Sequence, residues 1–359
     1  MRIYHVISNK VWGGGEQYVF DLCQHLIKDG HQVELFCRPC QPVLKQLLTL
    51  NIPIHTLSLK GIGDIVSSMH MAKVIGREAC IVHVHNFKDA FTVLYACKIA
   101  GNRQVKLIVT RHLVRQGKTS WLYRWLYRSI HRVIFVSNLA KMEFMSSYPK
   151  IPEEKLSVVH NSIVPQPTVQ TENLREMLSV PSQAVLAMYH GRLAAEKGLD
   201  VLIKAIRKTS AETIHLVLIG SGDEVYVRNL RQLIEQMNLR DRVHLLGFRD
   251  NVISYIQQAD FGVIPSIARE SFSLACLEYM SQGRCVITTN NGGQSEYVKN
   301  DINGILVPPS DTEALTVALN RITGNKELCE TLGKRAQHDF SSMLSYEQFY
   351  KRILSVYED

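Results

Sequence analysis

The 359-residue chain has no apolar run long enough to cross a membrane. Among its longer uncharged stretches, 46–59 and 177–191 both contain proline and several polar residues, whereas a spanning helix needs about 18 consecutive apolar residues. The opening MRIYHVISNK lacks a signal-peptide core and a small-residue cleavage site, so it reads as a first strand. Eight cysteines are scattered without a zinc-site pattern. Cys37 and Cys40 form one CxxC, which is either a redox pair or two small apolar residues at a strand end. The dinucleotide fingerprint GxGxxG is also missing: Tyr18 stands at its third glycine after Gly13 and Gly15, and Val225 does so after Gly220 and Gly222. Nicotinamide binding is therefore disfavoured. No short repeat or low-complexity tract is present. Reduced thiols and a cytoplasmic location are the expectation.

What is present is an ordinary globular composition, 46 % apolar and 21 % charged, which excludes a disordered chain. Short apolar runs alternate with longer amphipathic segments. The runs are 3–7, 33–37, 80–84, 106–110 and 132–137, then 185–190, 215–220, 243–247, 261–265, 285–289 and 304–308. Val- and Ile-rich runs that are uncharged on both faces suit a parallel sheet covered on both sides. The fold class expected is α/β, with two Rossmann-like doubly wound domains facing a cleft. Residues 165–171 carry two prolines and read as a linker. The domains expected are 1–165, 166–335 and a C-terminal helix 336–359 that packs back on the first. The helical pattern begins near 327 and carries Phe340, Tyr346, Phe349, Tyr350 and Tyr357.

Ligands of open α/β sheets bind beyond the carboxyl ends of the strands, so chemistry is expected in the loops there. Gly13, Gly14 and Gly15 precede a helix, where bare backbone and a helix N-terminus can receive an anion; a plain tight turn would look the same. In HGRLAAEKG, Arg192 follows a strand and Lys197 precedes a helix. They can clamp a diphosphate, the one as a planar fork and the other as a point charge, or they are ordinary surface cations. In ESFSLACLE, Glu270 and Glu278 flank Ser271, Phe272 and Ser273 at a helix start. Carboxylates pair with sugar and ribose hydroxyls, but two glutamates at this spacing are also common by chance. His83 and His85 lie two apart on one strand face; a metal pair is conceivable, though without a third ligand nearby they read as satisfied strand-end histidines.

Taken together, WGGGEQ, VSN at 136–138, HN at 160–161, GRLAAEKG, LIGSGD, LLGF, ESFSLACLE, GGQSEYV and NGILVPP resemble the retaining glycosyltransferases of family 4, with the GT-B fold. The match runs along nearly the whole chain in order. The resemblance implies that Arg192 and Lys197 hold the donor diphosphate, that Glu270 contacts the donor sugar and that Glu278 binds the ribose. It places His112 against the sugar near the reacting centre, the amides of Ser271, Phe272 and Ser273 against sugar and diphosphate, and Gly14 and Gly15 against the diphosphate. One departure is serine at 271 and 273, where glycine is frequent; the amide donors survive, and the sugar preference is less determined. The activity implied is retaining transfer of a sugar from a UDP-, GDP- or ADP-sugar to an acceptor hydroxyl, in lipopolysaccharide, capsule or other cell-envelope glycan synthesis. No Asp-x-Asp metal clamp occurs, so no metal and no separate cofactor are expected. The alternatives are a sugar-nucleotide epimerase of similar fold, which would need no acceptor, and a silent lipid- or sugar-binding protein.

The net charge is +8 and the pI about 9.0, which points to an anionic partner. Between 98 and 132 stand nine lysines and arginines and no acid. Within this segment Trp121 and Trp125, and Arg124 and Arg128, are each four apart, and so share a helix face. Contact with an anionic membrane, at the inner face, is one reading; an amphipathic helix with its aromatics in the core is the other. No nucleic-acid recognition module appears.

Overall fold

The computed structural model describes residues 1–166, 172–210 and 213–359. From residue 167 onward the expected linker lies outside the described residues. The chain divides into two compact units, Met1–Asn161 with Glu347–Asp359, and Ser162–Tyr346.

The first unit is built on seven parallel strands: β1 (Arg2–Ile7), β2 (Gln32–Cys37), β3 (Ile54–Thr56), β4 (Cys80–Val84), β5 (Val105–Arg111), β6 (Arg132–Phe135) and β7 (Leu156–Val158). Their order is β3-β2-β1-β4-β5-β6-β7. The second unit has six: β8 (Val185–His190), β9 (Ile214–Ile219), β10 (Val243–Gly247), β11 (Phe261–Ile264), β12 (Cys285–Thr289) and β13 (Ile305–Val307). These run β10-β9-β8-β11-β12-β13, again all parallel. The central strands β4 and β9 are buried at every residue. That follows from runs apolar on both faces, which only helices on both sides can shield.

Helices begin where the sequence supplies a cap. The Asn86 side chain accepts the amides of Lys88 and Asp89 to start helix Phe87–Ala100. Asp223 accepts those of Val225 and Tyr226 to start helix Glu224–Gln236. Each cap satisfies N–H groups that have no partner inside the helix.

Strand order reverses between β1 and β4 in the first unit and between β8 and β11 in the second. These reversals open a crevice at the carboxyl ends of the strands. The helical pattern expected from 327 is not continuous. Helix Lys326–Asp339 passes into a π-helical stretch, Phe340–Leu344, and Ser345 is extended before helix Tyr346–Glu358. The break buries Phe340 and Leu344 in the second unit, where Ser162 donates a hydrogen bond to the Leu344 carbonyl at 2.5 Å.

Candidate active site

In the second unit, the loops after β8 and β11 meet at the point of reversal. Arg192 stands two residues beyond β8, and Tyr189 donates its hydroxyl hydrogen to the Arg192 carbonyl at 2.8 Å. A short 3-10 turn, Ala195–Lys197, leads into helix Leu199–Lys208. Gly198, between them, adopts φ +69, and a Cβ there would run into the Pro265 carbonyl. The amides of Ile267 and Ala268 both donate to the Glu196 carbonyl, at 2.9 and 3.1 Å. The two loops are thus joined through backbone rather than through flexible side chains.

That junction brings Lys197 to Glu270. The ammonium lies 2.5 Å from Oε1, and both side chains are largely buried. Ser266 donates to the same oxygen at 2.6 Å. A third loop braces the arrangement: the Gly293 amide donates to the Glu270 carbonyl at 2.8 Å, and Thr289 to the Ser266 carbonyl at 2.9 Å. Arg192 behaves differently. Its guanidinium pairs with Glu196 at 2.5 Å and is two-thirds exposed. An exposed pair of this kind is worth little, so Arg192 can exchange its partner for an anionic ligand at small cost.

Ser271, Phe272 and Ser273 lead into helix Leu274–Ser281. Phe272 packs on Tyr297, whose hydroxyl donates to the Ser273 carbonyl at 2.7 Å. The helix begins late, so Glu278 lies just over one turn in. Its carboxylate contacts Nε2 of the buried His190. Beside Arg192, at the ends of β8, β9 and β10, is a cavity of about 420 Å³ with walls that include Leu193, Gly220, Gly222, Leu245 and Phe248. LLGF contributed to the sequence match, but nothing in its pattern marked Leu245 and Phe248 as lining a cavity.

The first unit carries the other expected residues. Gly14 and Gly15 open helix Gly14–Lys28, and a Cβ at Gly15 would meet nothing within 4 Å. Glu16 is buried there and bonded by the Asn9 amide; burial raises its carboxyl above the ordinary range. His112 follows β5 directly. Its Nε2 lies 3.3 Å from Nδ1 of His85, and its ring meets the edge of Tyr18 at 4.9 Å. His85 in turn faces His5, with 3.1 Å between Nε2 and Nδ1. The expectation that His83 and His85 have no third neighbour is therefore corrected. Strand register sets His5 beside His83, with ligand-competent atoms of His5, His83 and His85 all within 4.8 Å. Sequence spacing could not reveal this, because His5 belongs to a different strand. Both nitrogens of His83 are engaged, with Tyr357 and with Thr110, each at 2.7 Å.

The basic segment splits into two groups. Lys106 donates to the carbonyls of Tyr357 and Glu358, and Arg132 pairs with Asp359. Arg111 lies over Phe87 and Phe144, and burial lowers its affinity for a proton. These three hold structure. Arg115, Lys118, Arg124 and Arg128 are exposed. The tryptophans divide as well: Trp121 is 78 % exposed, while Trp125 stacks on Phe91 and Tyr95 under Lys98. Among the described residues the cysteines are all free thiols, Cys37 and Cys40 included, and no helix is long and apolar enough to cross a membrane.

Residues 12–166 match the family model described as Glycosyltransferase Family 4, and residues 170–339 the one described as Glycosyl transferases group 1. An uncharacterised glycosyltransferase of Methanocaldococcus jannaschii is 25 % identical over 97 % of this chain and 95 % of its own. The UDP-Gal:alpha-D-GlcNAc-diphosphoundecaprenol alpha-1,3-galactosyltransferase of Escherichia coli is 24 % identical over 100 % of this chain and 97 % of its own. HepE of Anabaena, crystallised with UDP, is alike in fold, with a TM-score of 0.86 at 20 % identity over 100 % of both chains. With one model or the other spanning nearly the whole chain, and both sheets doubly wound, the protein belongs to the group 1 glycosyltransferases of the GT-B fold.

Proposed function

We propose that this glycosyltransferase moves a sugar, with retention, from a nucleotide-diphosphate donor to an acceptor hydroxyl of a cell-envelope glycan. The observation that carries the reading is the Lys197–Glu270 pair at the strand reversal of the second unit. Breaking a sugar–phosphate bond builds negative charge on the diphosphate and positive charge on the sugar ring. Lys197 and Arg192 supply fixed and exchangeable positive charge for the first, and Glu270 a carboxylate for the sugar. Such a donor, already in place, needs no reorganisation as the bond breaks. The charge on the leaving group is met by these cations and by the amides of Ser271, Phe272 and Ser273, without a metal ion.

The cavity beside Arg192 suits the base of a UDP-, GDP- or ADP-sugar: Leu193, Leu245 and Phe248 give apolar wall, Gly220 and Gly222 bare backbone, and Glu224, Arg228 and Arg231 line it as well. Glu278 takes the ribose. In the first unit, His112 is assigned to the donor sugar and the amides of Gly14 and Gly15 to phosphate. The E. coli relative, named for a lipid-diphosphate acceptor, and the exposed Trp121, Arg124 and Arg128 support a lipid-linked acceptor and peripheral contact with an anionic membrane at its cytoplasmic face.

The test is incubation with a panel of nucleotide sugars. A transferase hydrolyses its donor slowly without acceptor; an isomerised donor or an untouched panel overturns the reading. Replacing Lys197 by Ala is expected to lower turnover about a hundredfold, which corresponds to roughly 3 kcal/mol of leaving-group stabilisation. Unchanged turnover rejects its role.

A further inference from the structure

One face of the first unit's sheet carries a column of imidazoles. His5 on β1 is in register with His83 on β4, so the two share a face. His85 follows two residues later and returns to that face. His112 follows β5 beside them. The rings lie in series: His5 and His85 are near-parallel at 5.4 Å between centroids, as are His85 and His112 at 5.6 Å. The nitrogens are linked in one direction, from His5 Nδ1 to His85 Nε2 and from His85 Nδ1 to His112 Nε2. At the inner end, Nε2 of His5 is buried and has no hydrogen-bond partner among the described residues.

A neutral imidazole carries one N–H, so three rings joined by two hydrogen bonds have only two consistent arrangements. If every ring carries its proton on Nε2, the chain of donors ends on the His5 N–H, sealed in an apolar interior with nothing to accept it. If every ring carries it on Nδ1, His5 leaves only a lone pair unmet, and His112 presents an outward N–H. An orphaned buried N–H is the rarer defect, and a buried donor left unmade costs its full desolvation. Burial also keeps the column neutral: it pulls His112 down to about 4 and His5 to about 3, and holds His85 well below its ordinary value. A metal centre is the poorer account of the cluster, because both nitrogens of His83 already have partners and His5 faces His85 directly.

We infer that His5 and His85 are positioning residues that hold His112 as its Nδ1–H tautomer, so that His112 meets its ligand as a hydrogen-bond donor. Their service to transfer rests on the reading of His112 under Proposed function; the tautomer does not. A ligand group that can only accept, such as a phosphate oxygen, or one that does both, such as a sugar hydroxyl, suits this side chain. A group that can only donate would force the whole column to reverse and bury the His5 N–H.

The experiment is long-range 1H–15N correlation on the full chain labelled with 15N-histidine at pH 7.5, with His112→Asn to assign the signal. His112 is expected as the Nδ1–H form, which histidine in water disfavours. An Nε2–H pattern, or an imidazolium, overturns the inference without any variant. His85→Asp puts an acceptor with no hydrogen to give in place of Nδ1, against Nε2 of His112, so the His112 proton is expected on Nε2; Nδ1–H as its only N–H in that folded variant counts against His85. With the donor established, His85→Asp is expected to lower kcat at least tenfold with donor KM within about twofold. If the proton moves while kcat stays, the inference stands and the assignment of His112 to the donor sugar falls.

Discussion

Gly198 shows how one residue sets the geometry of a charged pair. Its φ of +69 is one that only glycine adopts without strain, and the Pro265 carbonyl occupies the space of a side chain. Gly198→Ala must therefore separate the loops after β8 and β11, which also carry Lys197 and Glu270. A cost of about 2 kcal/mol is expected from backbone strain at such a site, seen as a lower Tm, together with a fall in donor turnover. Gly15 offers the contrast. Space lies open around its Cα, so Gly15→Ala should leave Tm within a few degrees while lowering turnover if a phosphate rests on that backbone. Full activity in Gly15→Ala would remove Gly15 from the proposed site. Neither outcome follows from the motifs alone: the AEKG and GGG strings look equally permissive in sequence, and only the neighbouring carbonyl distinguishes them.

At the scale of elements, helix Trp121–Ser129 separates two roles that the sequence left joined. Tryptophans four apart share a broad face, but that face is split by the position of helix Phe87–Ala100. Trp125 reaches its aromatic residues, Phe91 and Tyr95, and Trp121 does not. Trp125→Ala should cost about 2 kcal/mol, below the roughly 3–5 of a fully enclosed tryptophan. Trp121→Ala should leave stability within about 0.5 kcal/mol and weaken sedimentation with anionic vesicles, as should Arg124→Glu with Arg128→Glu. Undiminished vesicle binding by both variants counts against the membrane reading. The strands themselves were largely legible. The eleven apolar runs are β1, β2, β4, β5, β6 and β8–β13, because a strand covered on both faces is apolar throughout. The two missed, β3 and β7, are three-residue strands at the sheet edges, too short to show a pattern. In the site, loops after strands pointed to Arg192, Lys197 and Glu270 by position and charge. The His5–His85–His112 column escaped because its members come from β1 and from just past the ends of β4 and β5, and their alignment is a product of register that no linear spacing carries.

At the scale of the molecule, the first unit is assembled from both ends of the described chain, since helix Tyr346–Glu358 contributes Glu347 onward to it. Phe349 covers Tyr18, and Tyr357 bonds His83, closing the face that holds the imidazoles. This enclosure sets how the unit responds to pH, through two groups of opposite sign. The buried imidazoles have folded values below the ordinary 6.5. Their contribution to stability is complete above 6.5 and is lost as pH falls toward the folded values. Asp89 acts the other way. It lies buried in the first turn of helix Phe87–Ala100, bonded by Asn86 at 2.9 Å, and burial lifts its carboxyl from 3.8 to about 7. A raised carboxyl stabilises the fold at low pH, and that contribution is lost as pH rises from about 4 through 7. Asparagine keeps the shape and cannot titrate. Relative to the parent, Asp89→Asn should therefore gain stability steadily between pH 4.5 and 7.5, measured by urea unfolding or by hydrogen exchange of the β4 and β5 amides. A difference that stays flat across that range would mean that Asp89 is charged and accommodated throughout, and a difference that shrinks would mean that its carboxylate is stabilised by a cation near enough to outweigh its burial.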